Sequence, residues 1–326
     1  MKLLVTGATG YVGHQLALEL ASKNFIVHVL VRDLNSKKIP KHKNIKIFEG
    51  NICNYKSIEN AIKECKYVFH AAAFTNLKCN KIDNFYNTNV LGTENLLRAS
   101  LQNKIEKVIY TSTLSVFGPS YNNTPIIESQ PRIASFTNDY ELTKSMSEEV
   151  VRAYIEKGLT CIILNVSKVY GPGLETYSNG VNRLILKIIR NDFLLAPAKL
   201  KISSNYVFIN DVVNGHLLAL EHGKNGEKYI IGGENISYDA LFKKIKRIAK
   251  SEIRIITVNY GFLKAFFLMM STFQKLIGYQ PTITPKVLDS LFINRIATSD
   301  KAIENLNYKV TSLNLGLTRT IHYLKQ

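Results

Sequence analysis

The sequence predicts an α/β protein, a doubly wound parallel sheet joined to a smaller, discontinuous C-terminal substrate lobe. Three observations carry this prediction. Short β-branched runs alternate with helical patterns through the first half of the chain. A glycine-rich turn, Gly7 to Gly13, joins the first run to the first helical pattern. The second half loses the regular alternation but keeps apolar helical stripes. At 326 residues, 46% hydrophobic and 21% charged, the chain can bury a sizeable core and is not largely disordered.

Taken in order, residues 2–6 form the first strand, and a helix follows through Leu16, Leu20 and Ala21. Residues 26–31, 45–48 and 67–70 are the next strands, with a helix over 55–63. Val90, Leu97 and Leu101 predict one amphipathic helix over 85–101, ahead of a strand at 108–111. A helix over 137–156 and a strand at 161–164 complete the first domain. Beyond it, 181–189 and 211–220 read as helices, and 206–209 and 229–231 as short strands. Ser237 can cap a helix whose buried stripe is Leu241, Phe242, Ile245, Ile248 and Ala249. A last apolar helix spans roughly 262–277. Residues 1–165 are therefore expected to form the sheet domain, with 206–232 returning to it. Residues 166–205 and 233–326 are expected to build the lobe.

The chain carries 42 Lys and Arg against 25 Asp and Glu, a net charge of +17. Residues 1–150 hold 18 basic and 13 acidic side chains, and the remainder 24 and 12, so the excess lies in the second half. Such a balance suits a nucleic acid, an anionic membrane or a phosphorylated ligand, or reflects a general lysine bias. Lys243, Lys244, Lys246, Arg247 and Lys250 fall together on the polar side of the helix after Ser237, with no nucleic-acid motif beside them, so no nucleic-acid partner is expected. Four cysteines without a CxxC pair read as reduced thiols of a cytoplasmic protein. The first residues run straight into the glycine turn, leaving no room for a secretory leader. The apolar stretch 265–273, between Lys264 and Lys275, is too short to cross a bilayer. The seven histidines lack metal-ligand spacing, so no metal is expected; His70 reads as a core or cofactor-lining residue.

The chemistry starts at Gly7-Ala8-Thr9-Gly10-Tyr11-Val12-Gly13. Glycines after the first strand permit a tight turn and close approach of a pyrophosphate, and the helix N-terminus then attracts the anion. The expected domain is thus of Rossmann type. The second strand ends Val31-Arg32-Asp33, where such folds commonly hold the ribose. Arg32 can pair with a 2′-phosphate and favours NADP, while Asp33 keeps NAD open. Tyr140 and Lys144 stand four residues apart on the 137–156 helix, so both lie on one face. An ammonium there would lower the phenol pKa and could hold the nicotinamide ribose. A second pair, Tyr260 and Lys264, has the same spacing. Chance alone gives on the order of two such pairs in this chain, so position decides, and Tyr140 lies in the nucleotide-binding half. Thr111 and Thr113 leave the carboxyl end of the 108–111 strand, where ligands of open α/β sheets bind.

These residues, with His70 to Ala73, Asn89, Gly92 to Asn95, Tyr170 to Gly173, Phe208 to Val212 and Gly232 to Asn235, resemble the extended short-chain dehydrogenase/reductases, also called NAD-dependent epimerase/dehydratases. The branch most resembled holds dihydroflavonol-4-reductase-like, 3β-hydroxysteroid-dehydrogenase-like and hopanoid-associated epimerase-like proteins. The resemblance implies catalytic roles for Thr113, Tyr140, Lys144 and Asn89, with Tyr140 as acid/base. It implies a cofactor site at Gly7, Thr9, Gly10, Tyr11, Val12, Gly13, Arg32, Asn51, Ile52, Ala71, Ala72, Ala73, Thr111, Tyr140, Lys144, Val166 and Val169. It also implies a homodimer. Three positions depart from the family pattern: Asn51 replaces an Asp that accepts from adenine, Asp139 stands where Pro is frequent, and Val166 replaces a Pro.

The family's sugar-nucleotide dehydratases carry Asp-Glu after the catalytic Thr, whereas Leu114-Ser115 follow here, which argues against dehydration. NADPH-dependent reduction of a carbonyl to an alcohol, or its reverse, is the expected activity. An NAD-dependent nucleotide-sugar epimerase and a non-catalytic NAD(P)-binding sensor or scaffold are the alternatives. The substrate would be a small carbonyl or alcohol bound by 167–205 and 262–273. Phe262, Leu263, Phe266, Phe267, Leu268, Met269, Met270 and Phe273 read first as a core helix, since apolar stripes usually pack inward. An apolar substrate pocket or a peripheral membrane contact is the sharper alternative.

Overall fold

The computed structural model of the chain describes residues 1–326 except 80, 191, 192, 199, 200, 277, 279–287 and 291. Seven parallel strands form the central sheet: β1 (Lys2–Thr6), β2 (Ile26–Val31), β3 (Ile45–Glu49), β4 (Tyr67–His70), β5 (Lys107–Thr113), β6 (Cys161–Val166) and, much later in the chain, β10 (Lys228–Ile231). Their spatial order is β10-β6-β5-β4-β1-β2-β3. Alternate side chains serve opposite faces, because the strand period is two. Leu3 and Val5 pack on one face with Leu16, Leu20 and Val29. Leu4 packs on the other with Val68, Leu96, Val108 and Ile163. The first face is covered by α1 (Tyr11–Ser22) and α7 (Ile209–His222), the second by α2 (Tyr55–Ile62), α4 (Gly92–Gln102) and α5 (Asp139–Glu156).

The helix expected over 85–101 is not one continuous α-helix. A short α3 (Ile82–Phe85) runs into a π-helical turn, Tyr86–Leu91, and only then into α4. The apolar stripe is too coarse to reveal the extra residue, and Asn89 sits inside that turn. Elsewhere the expected elements shift by one to three residues at their ends. Asn138 caps α5 by accepting from Glu141 N at 2.9 Å, so this helix starts two residues later than the pattern suggests.

The lobe has its own sheet, β11 (Glu234–Ser237), β9 (Ser203–Phe208) and β7 (Lys168–Tyr170), in that spatial order. The 206–209 strand thus belongs to the lobe sheet, whereas β10 belongs to the large one. Tyr170, Ile185, Phe208, Leu241, Ile245 and Leu317 join this sheet to α6 (Gly180–Arg190), α8 (Tyr238–Ala249) and the last helix, α11 (Leu313–Lys325). Ser237 caps α8, its hydroxyl accepting from Ala240 N. A two-stranded parallel ribbon of β8 (Phe193–Pro197) and β12 (Arg254–Val258) leads into α9 (Tyr260–Leu276). The apolar helix therefore ends at Leu276, and Ile277 lies outside the described residues. A further short helix, α10 (Asp300–Leu306), packs against the large sheet.

Candidate active site

The site forms where strand order reverses. From β1 the chain builds β2 and β3 on one side and then crosses to β4 on the other, leaving a crevice beyond the carboxyl ends of β1 and β4. Gly7 stands there with φ +78°, and a Cβ on it would lie 2.6 Å from Ala72 N. A Cβ on Gly13 would lie 2.3 Å from Gly7 O. Glycine is needed at 7 for its backbone conformation and at 13 to let α1 close onto the turn. No side chain caps α1 and no acid sits in its first turn, so its N–H groups and positive dipole end are left for an anion. This cradle fits a dinucleotide pyrophosphate. Thr9 and Gly10 are part-exposed at its rim. Tyr11 and Val12 can offer only their backbone. The Tyr11 ring is buried in the lobe core, with its hydroxyl donating to Gly171 O at 2.7 Å, and Val12 packs against both cores.

Farther along, a cavity of about 620 Å³ opens beside Arg32, Asn51, Cys53, Phe74, Asn87 and Leu91. Arg32 is exposed. Asp33 Oδ1 accepts from Asn35 N at 2.9 Å and so holds its own turn. Asn51 Oδ1 likewise accepts from Cys53 N at 3.1 Å, engaging the oxygen expected to meet adenine. Ile52 is buried beneath α4 and packs where a Cβ on Gly92 would fall. The 71–73 backbone is pinned at both ends. Ala72 N approaches Thr6 Oγ1 at 3.4 Å, and Phe74 N donates to Asn89 Oδ1 at 2.7 Å. Val166 ends β6, and Val169 lies on β7 at the junction of the two cores.

Thr113, Tyr140 and Lys144 come together at the end of β5, where the Thr113 hydroxyl is near enough to the Tyr140 phenol to oppose the rise in its pKa. The expected effect of the lysine on Tyr140 is not what the structure shows. Lys144 Nζ donates instead to Tyr110 Oη at 2.6 Å and to Thr111 O at 2.8 Å. Burial pushes the Tyr140 phenol up to about 12, with Thr113 opposing, and Lys144 is not among the groups that move it. Helical spacing put both residues on one face, but the long lysine stem lets the ammonium reach under the strand. Burial also pulls Lys144 down to about 7, while Glu148, one turn on, holds it up. Asn89 is engaged by protein groups. Its amide accepts from Phe74 N and donates to Phe74 O at 3.2 Å and to Thr143 Oγ1 at 3.0 Å, so it positions the β4 loop against α5. Thr111 Oγ1 faces His216 Nε2 at 2.8 Å, and the contact of His216 Nδ1 with Val212 O makes Nε2 the acceptor. His70 is a core residue, between Thr6 Oγ1 at 2.6 Å and Thr93 Oγ1 at 2.9 Å. Burial takes it down to about 3, so it stays neutral.

Several neighbours carry no sequence signal of their own. Glu141, beside Tyr140, is held by Arg132 Nη2 at 2.9 Å and by Arg295 from far along the chain. Arg132 also donates to Ser115 O at 2.6 Å, and Arg295 to Gly118 O at 3.1 Å, so this cluster fixes the turn that follows Thr113. Glu148 takes Ser112 Oγ at 2.5 Å and Asn165 Nδ2 at 2.7 Å, and pairs with Lys228. An acid in the first turn of α5 and another one turn after Lys144 could have marked Glu141 and Glu148. Nothing local marks Arg132 or Arg295. The second Tyr/Lys pair has a different use. Tyr260 Oη and Lys264 Nζ both donate to Asp289, at 2.5 and 2.8 Å. Among the described residues, no three His, Cys, Asp or Glu side chains are grouped to hold a metal ion.

A protein of Synechocystis sp., provisionally named dihydroflavonol 4-reductase, is 26% identical over 326 residues, covering 98% of this chain and 94% of its own. The dTDP-D-glucose 4,6-dehydratase of Dictyostelium discoideum is 30% identical over 276 residues, covering 76% of this chain and 62% of its own. The crystal structure of Thermus thermophilus UDP-glucose 4-epimerase in complex with NAD matches with a TM-score of 0.79 at 21% identity, covering 100% of this chain and 99% of its own. That last likeness is one of fold. The relatives thus bear the names of reductases, dehydratases and epimerases. The profile of the NAD dependent epimerase/dehydratase family matches residues 3–232, and the chain belongs to that family.

Proposed function

We propose that this protein reduces a carbonyl to an alcohol, or runs the reverse reaction, with NADP as the nucleotide. The observation that carries the reading is the Thr113–Tyr140 hydroxyl pair at the end of β5, followed by Leu114 and Ser115 rather than by an acidic pair. The bound nicotinamide would supply or accept the hydride. A phenol raised to about 12 is protonated at neutral pH and suited to give its proton to the substrate oxygen. The Thr113 hydroxyl orients that oxygen. Lys144, held by Tyr110 and the Thr111 carbonyl, places a positive charge beneath the site whenever it is protonated.

Exposed Arg32 supports NADP, because its guanidinium is available at the cavity while Asp33 is engaged with Asn35. The cradle fits the diphosphate of either nucleotide. Tyr140→Phe tests the mechanism: NADPH consumption over a panel of carbonyl compounds should vanish while NADPH fluorescence still reports binding. Wild-type turnover by this variant would sink the proposal. Arg32→Asp should weaken NADP binding by about ten- to a hundredfold and leave NAD nearly unchanged, the value of one charge-assisted hydrogen bond. An unaltered preference would remove Arg32 from the site.

A further inference from the structure

The apolar helix expected in the core lies on the outside. Among the described side chains of α9 a narrow strip is covered: Leu263 and Ser271 are buried, and Tyr260, Phe267 and Gln274 are half-buried. Phe262, Phe266, Met269, Phe273 and Leu276 are exposed along the opposite side, flanked by exposed Leu268 and Met270. At about 100° per residue, the exposed apolar arc from Leu268 to Met270 spans roughly 200° of the helix. A seam meant for one partner helix is much narrower, two positions in seven. The helix itself contains no Asp or Glu. It is fixed to the lobe near its start, where Tyr260 and Lys264 bind Asp289 and the Tyr260 ring meets Phe292 at 5.9 Å.

The preceding ribbon shows the same inversion. Phe193, Leu195 and Ile256 are exposed, and the register pairs Leu195 with Ile256 and Phe193 with exposed Arg254. Residues 243–276, from the basic end of α8 through α9, hold eight Lys or Arg and one Glu. Among the described residues, no helix is long and apolar enough to cross a membrane. A 17-residue helix is about 26 Å long and can lie flat in the headgroup boundary with its wide apolar side down.

We propose that α9, helped by the β8–β12 ribbon, docks the protein on an anionic bilayer surface. The apolar arc enters the acyl boundary, and the lysines and arginines of the 243–276 stretch meet the negative headgroups. Charge complementarity and the width of the arc favour this occupant over a second copy of the chain, which would carry the same positive charge to the contact.

Co-sedimentation of the full chain with vesicles tests it without any turnover. Vesicles of phosphatidylcholine and phosphatidylglycerol should retain the protein at low salt. Pure phosphatidylcholine should retain at least tenfold less, and high salt should weaken the anionic binding. The triple variant Phe262→Ser, Met269→Ser, Phe273→Ser should bind those vesicles about a hundredfold more weakly or worse, while its melting temperature and NADPH binding match wild type. Phe262→Ser alone, the least disruptive change, should show part of that loss. Failure of wild type to bind anionic vesicles overturns the proposal. So does wild-type retention of the well-folded triple variant. A wild-type dimer that ignores vesicles and falls to monomers in the triple variant would assign the face to a second copy instead.

Discussion

Replacing Glu141 by Gln should cost this protein far more than its conservative chemistry suggests. The Glu141 side chain is 2% exposed, and its partners Arg132 and Arg295 are 11% and 10% exposed. Burial alone would push the carboxyl up, but Arg295, Thr137 and Arg132 together hold it below the usual carboxylate range. The substitution keeps shape and removes charge, leaving two part-desolvated guanidiniums facing a neutral amide. Stripping one member from a buried ion pair typically costs about 3–5 kcal/mol. For a chain of this size that is roughly 6–10 °C in melting temperature, at about 2 °C per kcal/mol. Because the folded carboxyl titrates below its unfolded value, the stabilisation is complete above the ordinary carboxylate pKa. It is lost as pH falls through the folded value. Thermal melts of wild type and variant should therefore lie farthest apart near neutral pH and converge in acid. Glu141→Gln with Arg295→Met should recover part of the loss, since it removes both charges of one pair. A single variant melting within about 2 °C of wild type at neutral pH would refute the reasoning.

Other expectations follow from the same geometry. Gly13→Ala puts a Cβ 2.3 Å from Gly7 O, a backbone atom with nowhere to go, and should abolish NADPH binding in a fluorescence titration; retained affinity would show that α1 can retreat from the turn. Lys144, pulled down to about 7 by burial, binds fewer protons folded than unfolded between that value and its ordinary pKa. Its buried charge therefore costs stability at and below neutral pH, and this cost fades as pH rises. The melting temperature of nucleotide-free wild type, relative to Lys144→Met, should climb from pH 7 towards pH 10, and parallel curves would contradict that. Asn89→Ala should lower turnover more than NADPH affinity, because it frees the Phe74 backbone and Thr143 rather than removing a reacting group. An equal loss in both would place Asn89 in cofactor binding instead.

The sheet was legible because each buried strand is a short apolar run and most connections carry an amphipathic helical pattern. The glycine turn was legible because no other residue permits the contacts at 7 and 13. Partnerships were less legible. The i, i+4 spacing of Tyr140 and Lys144 is a statement about Cα positions. Where the ammonium goes depends on Tyr110 and Thr111 beneath it, which share no periodicity with α5. Arg295 meets Glu141 across more than 150 residues of chain, a pairing no local pattern encodes. The apolar stripe of α9 was visible, but a stripe cannot say whether protein or solvent faces it. The small strands β7, β8, β11 and β12 escaped because their half-exposed residues alternate weakly.

The π-helical turn at Tyr86–Leu91 works as a joint with fixed phase. The Asn89 carbonyl inside it accepts from the Thr93 and Ser147 hydroxyls, each at 2.6 Å. Within the turn, Asn87 borders the cavity beside Arg32, and Asn89 grips Thr143 of the helix that carries Tyr140. The wide turn absorbs one extra residue while its flanks keep their phase, so deleting one residue here would restore a plain α-helix and displace the polar side chains within the turn. Asn87 and Asn89 could not then both keep their places, so this stretch should tolerate substitution at its exposed positions but not a change in length.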